Sequence, residues 1–456
     1  MTGRDGRNYS KYGIGDSLLL VPAAAVGHLT HRCAHDDVPC RTDEQRATEL
    51  VASFLDPLFA ALSVTVMFFF AMALGARWAP ALALSLLFGF ATIEWAYAHD
   101  AFDVGPTGFF LLFGVFSVYK GGVGANSWRW LMVGGASIGF AVLIRSPILI
   151  CLPVIAAYVV GRTWHQGRDN VLRSLVWFAA PIAAALAFTG WYNWVRFGDP
   201  LQNGYSLEAG AQPTFSANLA GGLAGLLFSP GKSIFVFSPP LLIAAAGAPA
   251  FFRRHRALAL AIAGMVVANV LFYAAYYDWS GDWAWGPRYM VPIIGMAMLP
   301  AITVLERWRT LVSPARLGIV ATAVAGAFVQ LLAISVDFFQ QLERLRNQNI
   351  EVESTYWDVP HTAIVQHTLT VWRTVNGTSH LDFLGLPSEF LTHVTQPVPD
   401  IWWIVLRRGG TSPLSIGAVI VVAIVAAMTL VARARLPGSP SPASPSPQLP
   451  RPVRGR

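Results

Sequence analysis

Residues 53–77, SFLDPLFAALSVTVMFFFAMALGAR, stay almost wholly apolar and then stop at an arginine. A hydrocarbon core about 30 Å thick needs ~20 such residues in a helix, so this stretch reads as a membrane span with a charged end. The pattern recurs. Apolar stretches near 53–74, 79–97, 104–119, 129–144, 147–161, 174–193, 234–250, 257–276, 289–305, 316–336 and 412–433 give about eleven candidate spans. Composition agrees. Hydrophobic residues make up 54% of the chain and charged residues 12%, where a soluble domain carries about 25% charged. The mean hydropathy is +0.50. The expected fold class is an all-α integral membrane protein, a polytopic helical bundle.

Charge placement orients the bundle. Arg77, Lys120, Arg129, Arg162, Arg168, Arg173, Arg253, Arg254, Arg256, Arg307, Arg309, Arg316, Arg433 and Arg435 fall in alternate loops, where the only acids are Asp169 and Glu306. The positive-inside rule makes these loops cytoplasmic. The net charge of +7 is therefore a topology signal, and nucleic acid is not an expected partner. The expected organisation is a periplasmic loop 1–52 with a short interfacial helix at 14–27, a transmembrane core 53–336, a periplasmic region 337–411, a last span 412–433, and a Pro/Ser/Arg-rich disordered cytoplasmic tail 434–456. Residues 1–52 come out on the outer side with no charged, apolar and cleavage-site leader before them. An upstream span and an outer-loop acid after it are therefore expected to be missing, and a chain expressed from Met1 to be poorly folded, wrongly oriented or inactive.

Cys33 and Cys40 lie in the outer segment HLTHRCAHDDVPCR (28–41), where either a disulfide or two free thiols fits. His28, His31, His35, Asp36 and Asp37 beside them match no standard zinc spacing. There is no phosphate-binding Walker loop, dinucleotide fingerprint or Ser-His-Asp motif.

Polar chemistry concentrates at the outer ends of the spans. In EWAYAHDAFDVG (94–105), Asp100 and Asp103 sit at a membrane boundary, as carboxylates facing a cavity or, for Asp103, as the cap of the next helix. Arg145 interrupts VLIRSPILI (142–150); an arginine there meets a phosphate or pins two helices by pairing with an acid. Arg196 follows the aromatics of GWYNWVRFGDP (190–200), and Lys232 stands in the glycine-containing turn FSPGKS (228–233), a geometry that suits anions. The stretch YYDWSGDWAWGPRYMVP (276–292) interleaves Asp278, Asp282 and Arg288 with Trp279, Trp283 and Trp285. Tryptophan stacks on sugar faces and sits at headgroup level, while arginine binds phosphate in a fork. An aromatic belt with a snorkelling arginine is the plainer alternative.

DGRNYSKYGIGDSLLLVP (5–22), YNWVRFGDPLQNGY (192–205), LLFSPGKSIFVFSPPLL (226–242) and WSGDWAWGPRYMVP (279–292), in this order, resemble bacterial polyprenyl-phosphate-dependent glycosyltransferases. These belong to the GT-C superfamily, with protein O-mannosyltransferases and lipid A aminoarabinose transferases as relatives. The resemblance covers most of residues 1–310. It implies a multi-span enzyme of the cytoplasmic membrane whose outward-facing site moves a sugar from a polyprenyl-phosphate carrier to an extracytoplasmic glycan, lipid or protein. It implies Asp103 and Asp100 as catalytic carboxylates. Arg288, Lys232, Arg145 and Arg196 would lie near the donor phosphate or lipid. Trp279, Trp283, Trp285, Tyr289 and Tyr12 would form an aromatic wall, and 337–411 the acceptor-selecting loop. A divalent metal is optional in that superfamily. A flippase of lipid-linked sugars would use the same lining without a base, and an inactive lipid-binding paralogue would keep the lining alone.

Overall fold

A computed structural model describes residues 3–4, 6–10, 12–30, 38–99, 102–121, 127–204, 213–281, 283–336 and 338–376. Asp100, Asp282, Cys33, the expected span 412–433 and the expected tail lie outside the described residues, as does the side chain of Cys40.

The described residues build helices only: α1 (Ile14–Thr30), α2 (Val38–Ala52), α3 (Leu55–Ala73), α4 (Trp78–Ala91), α5 (Glu94–Tyr97), α6 (Val104–Lys120), α7 (Ser127–Ile144), α8 (Leu152–Thr163), α9 (Arg168–Phe197), α10 (Leu219–Phe228), α11 (Ile234–Phe237), α12 (Leu241–Arg254), α13 (Arg256–Ala275), α14 (Val291–Met298), α15 (Ile302–Leu305), α16 (Ser313–Ser335), α17 (Phe338–Asn347) and α18 (Ala363–Val375), with short 3-10 turns between several of them. Seven continuous helical stretches are long and apolar enough to cross a membrane: Asp43–Ala73, Ser127–Ile144, Ser146–Gln166, Arg168–Phe197, Arg256–Ala275, Arg288–Leu305 and Ser313–Ser335. The chain is a multi-pass membrane protein. Four further apolar helices, α1, α4, α6 and α10, are shorter.

Three places differ from the hydropathy reading. The expected span 234–250 is broken into α11 and α12 at Ser238-Pro239-Pro240, because two prolines lack the N–H that a continuous helix needs. The freed Ser238 hydroxyl accepts a hydrogen bond from the Ile93 amide at 3.1 Å. The expected span 79–97 stops at Ala91 and resumes as the single turn α5. Helix α10 forms inside a segment read as loop, started by Asn218, whose side chain accepts from the Ala220 and Gly221 amides at 3.0 and 3.2 Å, a standard N-cap.

Similar hydropathy hides different environments. Stretch 288–305 is the centre of the bundle, with Val291, Pro292, Ile293, Ile294, Gly295 and Met296 all buried. Helix α9 is as apolar but buries few of its residues, as a lipid-facing helix does. Small residues let backbones approach, as is common between membrane helices. A Cβ at Gly135 of α7 would collide with the Phe178 carbonyl oxygen of α9, and one at Gly326 of α16 with the Ala91 carbonyl oxygen of α4.

Gly135→Leu is therefore expected to separate α7 from α9 and destabilise the protein by about 1–3 kcal/mol. Gly161→Ala, whose added Cβ meets nothing within 4 Å, should be neutral or slightly stabilising. Thermal unfolding of both variants in detergent checks this.

Candidate functional site

Helix α7 cannot continue through Ser146-Pro147, because proline has no amide and its ring disfavours helical geometry in the residue before it. Arg145 is left extended at the break, with φ −141° and ψ 102°. Its side chain turns into the protein, where it is 4% exposed. One terminal nitrogen donates to both carboxylate oxygens of Asp103, at 2.7 and 3.0 Å. Asp103 is 7% exposed. It occupies the N-cap position of α6 but makes no capping hydrogen bond with its side chain. Of the alternatives open in the sequence, the structure shows the interhelical ion pair. Arg145 Nε also donates to the Tyr273 hydroxyl at 3.3 Å.

A tyrosine cluster surrounds this pair. Tyr273 stacks on Tyr289, with ring centroids 4.6 Å apart and planes 20° apart. Tyr276 meets Tyr289 edge-on at 5.9 Å. The Arg145 guanidinium lies 4.9 Å from the centroid of the Tyr289 ring and the Arg288 guanidinium 5.2 Å from it. Both cations thus share one aromatic ring, an arrangement favoured by the ring quadrupole. Arg288 also lies over Phe102, at 4.7 Å. Its buried Nε has no hydrogen-bond partner, and no carboxylate is ion-paired with Arg288, among the described residues. The Tyr289 hydroxyl donates to Asp278 Oδ2 at 3.2 Å, which fixes the ring.

Arg145, Tyr273, Tyr276 and Tyr289 line one part of a cavity of about 640 Å³. Pro147, Leu149, Ile150, Phe215 and Phe272 line much of the rest. A cationic, phenolic patch beside an apolar wall can hold an anionic group attached to a hydrocarbon chain. Asp16, in the first turn of α1, stands near this patch. Gly15 packs against the backbone of Ile144, next to Arg145. Partial burial and repulsion from Asp103 push the Asp16 carboxyl above its ordinary range.

The other candidate residues fall elsewhere. Lys232 is buried and donates to the carbonyl oxygens of Ala284 and Gly286, at 2.9 and 3.2 Å, which ties its turn to the 278–287 segment. Gly286 is needed there, because φ is +59° and a Cβ would meet the Phe237 ring at 2.6 Å. Tyr356 joins the same knot. Its hydroxyl donates to Ser280 at 2.9 Å, its carbonyl accepts from the Ser229 hydroxyl and the Gly231 amide, and its ring lies 5.3 Å from the Lys232 ammonium. Trp279 packs edge-on to Tyr356. Trp285 is buried between Phe237 and His367, and its carbonyl accepts from the Tyr97 hydroxyl at 2.8 Å. Trp283 is 60% exposed. Arg196 donates to the carbonyl oxygens of Ser10 and Tyr12 and to Asn193, over the Tyr192 ring, and so anchors Ser10 and Tyr12 to the end of α9. The structure gathers Asp103, Arg145, Arg288 and Tyr289 in one place. It puts Lys232, Trp279 and Trp285 in the neighbouring knot, and Arg196 with Tyr12 in a third contact.

Sequence reading missed Tyr273, Tyr276, Asp16 and Tyr356. The i, i+3 spacing of Tyr273 and Tyr276 was a usable signal, since it puts both rings on one side of the chain. Among the described residues no group of three or more His, Cys, Asp and Glu side chains is placed to hold a metal ion.

No protein-family model matches this chain, and no curated protein matches it. Among solved structures, the crystal structure of ArnT from Cupriavidus metallidurans bound to undecaprenyl phosphate matches at 14% identity, with a TM-score of 0.44, over 79% of this chain. This chain spans 65% of the length of that one.

His367 of α18 is buried against Trp285. Its Nδ1 lies 3.2 Å from the Leu332 carbonyl oxygen, and Nε2 has no partner among the described residues. Burial pushes its imidazolium down to about 4 from an ordinary 6.5. The unfolded chain takes up this proton at a higher pH than the folded one does. The stability from neutral His367 is therefore full above pH 6.5 and is lost as pH falls through about 4, with a ceiling of roughly 3 kcal/mol. The thermal midpoint should decline across that window, and His367→Gln should flatten the decline.

Proposed function

We propose that this protein is a membrane glycosyltransferase that moves a sugar from a polyprenyl-phosphate carrier to an acceptor outside the cytoplasmic membrane. The observation that carries this reading is the shared contact of Arg145 and Arg288 with Tyr289 beside a cavity lined by both phenolic and apolar side chains. A lipid-linked phosphate combines the same two kinds of chemistry. The motif resemblance between residues 5 and 292 supports the same reading and adds the GT-C type of fold. In this proposal the site faces outward at the cytoplasmic membrane, residues 1–52 and 337–411 belong to the outer side, and 53–336 form the transmembrane core.

The reaction is a displacement at the anomeric carbon. The acceptor hydroxyl oxygen forms a bond to that carbon while the carbon–oxygen bond to the carrier phosphate breaks. The departing phosphate keeps the electron pair, and Arg145, which lines the cavity, and Arg288, on the same Tyr289 ring, stabilise its charge. The acceptor proton passes to a carboxylate of the cluster, Asp103 or its neighbour Asp16. Asp103 accepts from Arg145 through both oxygens, which orients it and weakens it as a base.

Transfer from a polyprenyl-phosphate sugar by the purified protein, with cell-envelope mass spectrometry to identify acceptor and sugar, tests the reading. Arg288→Ala should still insert but lose roughly 2–4 kcal/mol of transition-state stabilisation, a drop of about 30- to 1,000-fold in turnover. Wild-type turnover in that variant would remove the donor-site assignment. Asp16→Asn should lower kcat with little change in donor KM if it takes the proton. Asp103→Asn should instead lower stability, because it strips a buried arginine of its charge partner. A wild-type protein that moves the intact lipid-linked sugar across a bilayer without transferring it would make this a flippase.

A further inference from the structure

A second cavity, of about 460 Å³, shares no lining residue with the first. It lies between α12, the 303–311 segment and the first half of α16. Helix α16 buries no residue before Gly326. Tethered to α4 at Gly326, its first half stands off the bundle and leaves a slot. The walls are apolar and mostly small, with Ala246, Ala250, Ala315 and Gly318 among them. The Thr303 hydroxyl already donates to the carbonyl oxygens of Gly247 and Pro300, so it has no hydrogen left for a guest. The one charged lining residue is Arg307, which is exposed.

Length and charge choose the occupant. Along α16 the lining runs from Ala315 to Thr322, about 10 Å of helix at 1.5 Å per residue. That depth stays within one leaflet of a core about 30 Å thick. The end that carries Arg307 also carries Arg253, Arg254, Arg256, Arg309 and Arg316. Against them stands Glu306, which is already paired with Arg254 at 2.7 Å. An apolar slot one leaflet deep under a strongly basic rim matches an acyl chain under a negative headgroup.

We propose that this slot is a binding site for one anionic phospholipid, with an acyl chain between α12 and α16 and its phosphate against Arg307. The proposal does not rest on the glycosyltransferase reading. It is tested on the full chain, purified in detergent and stripped of lipid, by native mass spectrometry and thermal unfolding with added phosphatidylglycerol or phosphatidylcholine of the same acyl chains. The wild type should retain phosphatidylglycerol roughly fivefold better, in line with one arginine at a headgroup, and be stabilised by it. Arg307→Gln should abolish that preference. Gly318→Leu should reduce retention of both lipids, because a Cβ at Gly318 meets nothing within 4 Å and the longer side chain can fill the slot without a clash. Equal binding of the two lipids by the wild type, or a preference that survives Arg307→Gln, overturns the proposal. So does a disulfide between Gly318→Cys and a cysteine placed within 412–433, since the chain's own apolar segment would then be the occupant.

Discussion

The buried ion pair between Asp103 and Arg145 is the constraint on which the candidate site depends. Each partner stands almost fully out of water, and neither charge would be tolerated there alone. Losing one partner of such a pair typically costs about 3–5 kcal/mol, because the survivor keeps its desolvation penalty. The pair joins the start of α6 to the break after α7, segments 42 residues apart in the chain. With that junction fixed, Arg145 can reach Tyr273 and Tyr289 from one direction while Arg288 reaches Tyr289 from its own segment. The rings then become the common surface on which the two guanidiniums meet.

The segments around the candidate site are tied together by backbone carbonyls. Lys232 spends its ammonium on two of them, Tyr97 reaches a third on Trp285, and Tyr356 offers its own to the 229–231 turn. Carbonyl contacts of this kind satisfy buried polar groups and hold loops without adding charge. They explain why a segment as polar as 276–292 is ordered beside apolar helices. Its tryptophans are largely structural: Trp279 packs on Tyr356 and Trp285 on Phe237 and His367, which leaves Tyr276 and Tyr289 as the aromatic residues of that stretch at the cavity wall.

Hydropathy made the long helices legible, because a membrane demands length and apolarity of any helix that crosses it. It could not separate α9, which buries few of its residues, from 288–305, which is enclosed by other helices, since lipid tails and leucine side chains present the same apolar surroundings. The break at Pro239-Pro240 was written in the residues, yet an apolar average runs straight through it. In the site, Arg145 and Asp103 stood out because charge in an apolar context is conspicuous. Tyr356 and Asp16 did not, because each acquires its place through contacts more than a hundred residues away or through the close packing of Gly15 on α7. Lys232 is the opposite case. A lysine in a glycine turn looks like an anion site, but here the protein's own carbonyls occupy its ammonium.

The two arginines that approach Tyr289 differ in a way that bears on their roles. Arg145 has its charge matched by Asp103 and its Nε engaged by Tyr273, so it is built into the frame. Arg288 has aromatic faces on two sides and an Nε with no partner among the described residues. An aromatic face lowers the cost of holding a cation away from water but makes no directional hydrogen bond, so it leaves the Arg288 Nε–H available to an incoming acceptor. One arginine therefore sets the geometry while the other keeps its hydrogen-bonding capacity. A rigid frame beside an unsatisfied donor is what binding with little reorganisation requires. The same logic explains the glycine at 281. It has φ +85°, and a Cβ there would press on Arg288 at 3.2 Å, so the backbone is shaped to leave the arginine room.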